Sequence, residues 1–317
     1  MGHEREVTKP DKEWMAIRLK LLNHPAKSPQ SRGRHQKRSI TMKRFIPLTL
    51  LVFVSLFPAS IFGRDFDTDI KKWTVVKPPD KTNKDYYNFF QRANFSNDHW
   101  VVARSDGKLS ARHLRDGEST ERLLPNFDTT AQLQDRKATA SQCLKVEGGW
   151  IAAYNEGEFG SAIYWFSMDG KKKKKLSEHQ INAFLCEGDR IFAVEGLAHL
   201  STSHGSMIEI VKENGIWMVK EFLPLPSSAE AIARIATGEY AIVTSDSLLR
   251  VNLKREILML IPNANWRGLY PNSIEVDDGY IYIGMRQFVA RCRISKSVET
   301  YEFLLPDKSW LNTKMTP

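Results

Sequence analysis

The amino-acid sequence predicts an all-β fold assembled from repeated units. Residues 88–305 consist of short runs of β-branched, aromatic and aliphatic residues, separated by turns rich in Gly, Asp and Asn. Five runs follow a tight polar turn, as in EGGWIAAY, EGDRIFAVE and TGEYAIVTS, which is the pattern of a turn leading into a buried strand. A second marker, Leu or Ile followed by Pro, ends four of the units.

The repeat length follows from aligning the first large side chain after each turn. These residues are Trp100, Trp150, Ile191, Tyr240 and Tyr280, which are 50, 41, 49 and 40 positions apart. Proline suits the end of an outer strand, because its missing N–H breaks no hydrogen bond there. Each unit therefore has room for four strands, and the last unit reads clearly as YPNSIEV, GYIYIGM, FVARCRI and ETYEFLL.

Four antiparallel strands per 40–50 residues resembles the blade repeat of β-propellers. The resemblance covers about 220 residues and is one of repeat class, since the WD dipeptide and a regular kelch-type double glycine are missing from the units. It implies five or six four-stranded blades, with a β-sandwich as the alternative. WTVVKPP, residues 73–79, predicts a further outer strand, although the last unit already has four strands of its own.

The charge distribution argues against a nucleic-acid function. The chain of 317 residues has a net charge of +9, but residues 1–44 contain 12 Lys+Arg and 4 Asp+Glu, a net of +8. The remainder holds 34 basic and 33 acidic residues, a net of +1. Backbone phosphates are bound by clustered cations on one face. The one basic run of this part, Lys171–Lys175, follows a turn and is interpreted as a solvated outer strand.

Residues 42–63, MKRFIPLTLLVFVSLFPASIFG, have the order of a secretory signal. A basic start precedes an apolar centre, Leu48–Phe57, and small residues follow it. The alternative is an uncleaved signal-anchor that uses residues 45–63 and leaves residues 64–317 outside the membrane. Residues 1–41 are basic and polar, and are predicted to be a disordered leader from an upstream start. Residues 64–317 then form an exported propeller, periplasmic or extracellular.

The sequence gives no positive sign of catalysis or of a cofactor. The nucleophile elbow GxSxG, the P-loop and the GxGxxG fingerprint do not occur in it. Cys143, Cys186 and Cys292 allow at most one disulfide within the chain, and they are interpreted as buried small hydrophobic residues. We expect neither a metal nor an organic cofactor.

The longer connections are predicted on one face of the propeller, the top, where the second and third strands of each blade are joined. Binding residues concentrate on loops of rigid scaffolds. The candidate ligand-binding residues on this face are Asn155, Glu156, Glu158, Glu195, His199, His204, Asp246, Trp266, Arg267, Tyr270, Asn272 and Arg286.

Two subsets of these candidates suggest chemistry. His199 and His204 could bind a metal with Glu195, but a fixed third ligand is not evident. Glu156 and Glu158 could form a carboxylate pair for glycoside hydrolysis, although a solvated acidic turn explains them more simply.

Three functions remain open from the sequence. The first is an exported, non-catalytic binding protein whose ligand is a protein, peptide or glycan. The second is an exported hydrolase or lyase acting on carbohydrate, and the third is a scaffold tethered to a membrane by residues 45–63. Convergence of the acidic candidates in one pocket would favour the enzyme.

Overall fold

The computed structural model describes residues 69–105, 107–115, 123–134, 136–294 and 300–312. The predicted leader and signal segment, residues 1–63, lie outside the described residues. Within the described ranges, each helix is too short or too polar to cross a membrane. The ranges contain one α-helix, α1 (Tyr86–Asn94), and short 3-10 helices at Ile70–Lys72, Gly157–Phe159, Arg267–Leu269 and Lys308–Asn312.

The repeated region is a succession of small antiparallel sheets. Its first strands are β1 (Thr74–Val76), β2 (Asp98–Ser105), β3 (Lys108–Arg115), β4 (Ala131–Leu133) and β5 (Arg136–Ala138). The next two sheets consist of β6 (Gln142–Val146), β7 (Gly149–Asn155), β8 (Ser161–Ser167), β9 (Lys173–Ser177), β10 (Ile181–Glu187), β11 (Arg190–His199), β12 (Thr202–Glu213) and β13 (Ile216–Leu225). The last two consist of β14 (Ala229–Ala236), β15 (Glu239–Thr244), β16 (Leu248–Asn252), β17 (Ile257–Ile261), β18 (Ser273–Asp277), β19 (Tyr280–Gly284), β20 (Val289–Arg293) and β21 (Glu302–Leu305).

Four blades are complete and follow the predicted order. Their strands pair as β6-β7-β8-β9, β10-β11-β12-β13, β14-β15-β16-β17 and β18-β19-β20-β21, each a simple antiparallel meander. The first hairpin of every blade turns at a glycine with positive φ, namely Gly148, Gly188, Gly238 and Gly279. Tight hairpins need this left-handed conformation, which glycine adopts without steric cost. Four of the five tight polar turns predicted from the sequence are thereby confirmed.

The blades pack through their first strands, which we call the inner strands. β14 contacts β10 and β11 of the preceding blade, β18 contacts β14 in turn, and β2 contacts β18 and β19. The Val102 amide of β2 also donates to Ser273 Oγ of β18 at 2.9 Å. A succession of four-stranded meanders packed in this way is a β-propeller, as the repeat predicts, rather than the two facing sheets of a sandwich.

The N-terminal strand joins the last blade as a fifth strand. β1 pairs antiparallel with β21 at the outer edge, with Thr74 opposite Leu305 and Val76 opposite Phe303. WTVVKPP therefore contributes the predicted outer strand. It is added to a blade that already has four strands of its own. This explains why the sequence of the last unit did not lack a strand that β1 could replace.

The first repeat unit differs from the prediction. Its described residues form two separate two-stranded sheets, β2-β3 and β4-β5, instead of one four-stranded blade. Trp100 lies in β2, which contacts the last blade as the inner strands do, whereas Trp150, Ile191, Tyr240 and Tyr280 lie in second strands. The alignment of Trp100 with them was wrong. Helix α1 also precedes β2 and overlaps the start of the region that was predicted to consist of β runs.

Most of the largest buried side chains lie on the sheet faces that pack against neighbouring blades. Trp100, Trp266, Tyr154, Tyr240 and Tyr282 are among the largest side chains that are fully buried between blades. The outer strand β9, in contrast, exposes the lysines of the basic run. Charged residues on an edge strand discourage pairing with other chains, so the interpretation of this run as a solvated outer strand is confirmed.

Candidate functional site

The β11-β12 hairpin carries three of the candidate residues on the top face. Glu195, His199 and His204 were predicted on a connecting loop. Residues 195–206 are instead mostly strand, because pairing continues to His199 opposite Thr202 and only residues 200–201 turn. Directly opposed residues point to the same face of a sheet. One face of the hairpin therefore carries Glu195, His199 and His204, and the other carries Gly196 and Ser203.

The face with the two histidines points toward the preceding blade. His199 Nε2 lies 3.0 Å from Glu158 Oε2, which belongs to the β7-β8 connection. Ser206 Oγ donates to Glu195 Oε1 at 2.8 Å, and His204 is exposed. Glu158 and His199 are thus brought together, whereas Glu195 is bound within its own hairpin. Glu156 is half-buried in its loop, where its amide donates to Gly160 O at 3.0 Å.

A chain of side-chain amides, the amide chain, connects three neighbouring blades at the top. It consists of Gln180, Asn155 and Asn182. Gln180 Nε2 donates to Asn155 Oδ1 at 2.7 Å, and Asn155 Nδ2 donates to Asn182 Oδ1 at 2.6 Å. Asn182 Nδ2 then donates to Ala229 O of β14 at 2.7 Å and to Gly196 O at 3.2 Å. Asn155, a predicted binding residue, is therefore held by structural hydrogen bonds.

Asn182 reaches the next blade because it lies in a β-bulge. The register of β10 against β11 shifts between Ile181 and Ala183, and that of β14 against β15 shifts between Ala229 and Ala231. The residue inside each shift has no partner across the strand, and a bulge re-aims its side chain. These two residues are Asn182 and Glu230.

A serine cluster surrounds the second bulge. Ser228 Oγ donates to Glu230 Oε1 at 3.0 Å, and the Ser228 amide donates to Ser203 Oγ at 2.9 Å. Ser203 Oγ lies 3.2 Å from Ser245 Oγ of the β15-β16 connection. Burial raises the pKa of Glu230 to about 7, against its hydrogen bond from Ser228, which lowers it. The carboxyl of Glu230 therefore changes its charge near neutral pH.

Asp246 is tied into the same region. Its Oδ1 accepts from Ser227 Oγ at 2.7 Å and from Ser247 Oγ at 3.0 Å, and its carbonyl accepts from the Ala264 amide at 2.6 Å. These bonds link the fourth repeat unit to the entry of the last blade. Asp246 is half-buried and acts as an acceptor for neighbouring hydroxyls.

The second group of candidates converges at the entry to the last blade. The Arg286 guanidinium lies 4.6 Å from the centre of the Tyr270 ring. Its Nη1 donates to Asn94 O at 2.5 Å, at the C-terminal end of α1, and the Arg286 amide donates to Leu269 O at 2.6 Å. A cation over an aromatic face is attracted by the ring. Arg286 thus fixes Tyr270 against the helix end.

Tyr270 combines exposure with an unfavourable backbone. Its φ of 49° and ψ of 67° are left-handed, and 51% of the residue is exposed to solvent. Large side chains rarely adopt this conformation, and such strain concentrates at functional sites. Arg267 and Asn272, on either side in the chain, are also exposed. Arg267 Nη2 donates to Thr202 O at 3.0 Å, and the Oδ1 of Asn272 accepts from Ser273 Oγ at 2.8 Å.

Trp266 does not belong to this surface. It is completely buried, and its ring lies 5.0 Å from that of Tyr301 in an edge-to-face arrangement. An aromatic residue in a connection gains more by filling the space between blades than by facing water. Trp266 therefore cannot face a ligand. We call Tyr270, Arg286, Arg267 and Asn272 the tyrosine–arginine surface.

In the described ranges, groups of three His, Cys, Asp or Glu residues able to hold a metal ion are not found. The three cysteines are free thiols, but only Cys292 is buried; Cys143 is half-buried and Cys186 is exposed. The expectation of three buried residues therefore holds for Cys292 alone.

Sequence comparison provides no family, since neither a protein-family model nor a curated protein matches the chain. Solved structures give weak likenesses. A gluconolactonase from Xanthomonas campestris is 8% identical, with a TM-score of 0.36, and 64% of each chain is covered. Virginiamycin B lyase from Staphylococcus aureus is 16% identical, with a TM-score of 0.39 over 75% of this chain and 90% of the lyase. PorZ, a surface component of the type-IX secretion system of Porphyromonas gingivalis, is 8% identical, with a TM-score of 0.39 over 63% of this chain and 31% of PorZ. These likenesses carry no argument about ligand or reaction.

Proposed function

We propose that the protein is an exported β-propeller that binds a glycan through the tyrosine–arginine surface. The observation that carries this proposal is the exposed Tyr270 ring, held in a strained backbone and stacked by Arg286. Export rests on the sequence of residues 42–63.

The chemistry of the surface favours a sugar over an extended peptide. Pyranose rings offer apolar C–H faces that stack on an aromatic ring, and hydroxyls that bind amides and guanidinium groups. The surface offers a tyrosine ring, an exposed arginine and an exposed asparagine side by side. A peptide bound by strand addition would pair along the backbone of a sheet edge, whereas this surface offers the side chains of Tyr270, Arg267 and Asn272.

The test is the substitution Tyr270→Gly. We expect it to weaken glycan binding at least about tenfold, because the stacking ring is lost. The free energy of unfolding should change by less than about 1 kcal/mol, since relief of the left-handed backbone offsets the lost ring contact. Calorimetric titration with neutral cello-oligosaccharides and acidic oligogalacturonates measures binding, and urea unfolding measures stability.

Tyr87 provides the matched control, because it is a tyrosine exposed by 76% on α1. The control substitution is Tyr87→Ala, because glycine at this position would destabilise the helix. Binding equal to that of the unaltered protein is expected for it. Oligosaccharides that bind Tyr270→Gly undiminished, or that fail to bind the unaltered protein, would refute the proposed surface. Arg286→Ala is a poorer test, because it also removes the bond to the end of α1.

A second candidate, a hydrolase or lyase acting on carbohydrate, is favoured by Glu230. A carboxyl with a pKa raised to about 7 is suited to act as a general acid. Incubation with the same oligosaccharides should then release new reducing ends, and Glu230→Gln should stop this release. If the products are equal for both proteins, Glu230 is not the acid.

A further inference from the structure

A cavity opens on the last blade, at the end opposite the tyrosine–arginine surface. Its volume is about 470 Å³, which is in the range of small-molecule sites. The lining includes the ring of Tyr280 and three cationic residues, Lys77, Arg291 and Arg293, with Glu302 as the acidic residue. We call it the cationic pocket.

Strand register places these side chains on one face of the blade. Tyr280 lies opposite Arg293, and Arg291 lies opposite Glu302. Residues paired across strands, and residues two apart along a strand, point to the same face. Lys77 follows the last paired residue of β1, next to Glu302 on the neighbouring strand. The floor of the pocket is therefore an array of charged and aromatic side chains from neighbouring strands, namely Tyr280, Arg291, Arg293 and Glu302.

The array is open because of the irregular first unit. The same face of the last blade packs further in against β2 and β3, through Tyr282 and Trp100 among others. A complete blade would cover the outer strands as well, but the sheet beside them has two strands in the described part of the chain. The outer part of the face is thereby left accessible at Lys77 and Arg293, which are exposed.

The described lining of the pocket carries three cations and one carboxylate. Arg291 Nε donates to Glu302 Oε1 at 2.7 Å, and its guanidinium lies 5.4 Å from the centre of the Tyr280 ring. This pairing neutralises one cation and holds it in place. The ion pairs of the described residues include Arg291 with Glu302 but neither Lys77 nor Arg293. Among the described residues, Lys77 and Arg293 thus flank the Tyr280 ring without an ion-pair partner.

We propose that the cationic pocket binds a small organic anion in which a phosphate or carboxylate group is attached to a ring. The anion pairs with Lys77 and Arg293, and the ring packs beside Tyr280. Guanidinium groups bind both kinds of anion through two parallel hydrogen bonds. This site is separate from the tyrosine–arginine surface, and does not depend on the glycan proposal.

The test is calorimetric titration of the full-length protein with phenyl phosphate, benzoate, inorganic phosphate and benzyl alcohol. We expect phenyl phosphate or benzoate to bind with a dissociation constant that rises with salt, because ionic contacts are screened. Benzyl alcohol should bind at least about tenfold more weakly than the preferred anion. The two aryl anions distinguish phosphate from carboxylate as the preferred group, and inorganic phosphate measures the contribution of the ring.

The double substitution Lys77→Gln with Arg293→Gln should weaken the preferred anion at least about tenfold, while thermal unfolding confirms that the fold is retained. Lys254→Gln is the matched control, since Lys254 is an exposed lysine on another blade, and it should leave the dissociation constant unchanged. If the double variant does not fold, Lys77→Gln and Arg293→Gln are titrated separately. The proposal is overturned if neither aryl anion binds, or if the glutamine variants bind them like the unaltered protein.

Discussion

Replacing Asn182 by alanine is expected to lower the free energy of unfolding by about 3 kcal/mol. The Asn182 side chain donates to Ala229 O at 2.7 Å and to Gly196 O at 3.2 Å, and accepts from Asn155 at 2.6 Å. Alanine leaves all three partners without this bond, and each unsatisfied buried group costs about 1–3 kcal/mol. The bond to Gly196 O lies within one sheet, whereas the bond to Ala229 O joins two blades. The substitution therefore weakens both the sheet and the contact between the blades.

Urea unfolding followed by circular dichroism measures this effect. Asn97→Ala is the control, because Asn97 is an exposed asparagine just before β2, and a change of less than about 0.5 kcal/mol is expected for a surface site. Asn182→Asp tests the donor directly, since a carboxylate keeps the shape but cannot donate to the two carbonyls. A stability of Asn182→Ala equal to that of the control would show that the amide chain does not hold the blades.

The complete blades could be predicted because their signals are local. A glycine in a tight turn, followed by an apolar run, specifies a hairpin within about ten residues, and Gly148, Gly188, Gly238 and Gly279 all turn as expected. The first unit has no such glycine before Trp100. Trp100 was aligned with second-strand residues on side-chain type alone. Its position in the fold depends instead on the contacts of β2 with the distant last blade.

The site was predictable in part for the same reason. Tyr270 and Arg286 lie in connections, where an exposed aromatic or cationic residue suggests binding, and the structure brings them together. Asn182 and Glu230 were missed because a bulge is a property of the register between two strands, which is not visible in one strand. A polar residue at the second position of two successive inner strands, INAFLCE and AEAIARIA, was the available signal.

Glu230 leads to the second large effect, a dependence of stability on pH. Its pKa is raised from 4.5 to about 7 in the folded protein, chiefly by burial. Between these values the folded state holds a proton that the unfolded state has released, so the stability from this group falls as the pH rises. It is fully present below about pH 4.5 and lost above about pH 7. Each pKa unit corresponds to about 1.4 kcal/mol, so the difference amounts to about 3 kcal/mol.

Glu230→Gln should therefore raise the free energy of unfolding by about 3 kcal/mol at pH 8, and leave it nearly unchanged at pH 4.5. Glutamine is neutral at every pH and retains the oxygen that accepts from Ser228 at 3.0 Å. Urea unfolding at intervals from pH 4.5 to pH 8 gives both curves, and their difference cancels the contributions of all other carboxyls. Glu221→Gln, at an exposed position on β13, should give a curve parallel to that of the unaltered protein. If the Glu230→Gln curve is parallel as well, the bulge does not hold a buried proton, and the case for Glu230 as a general acid fails with it.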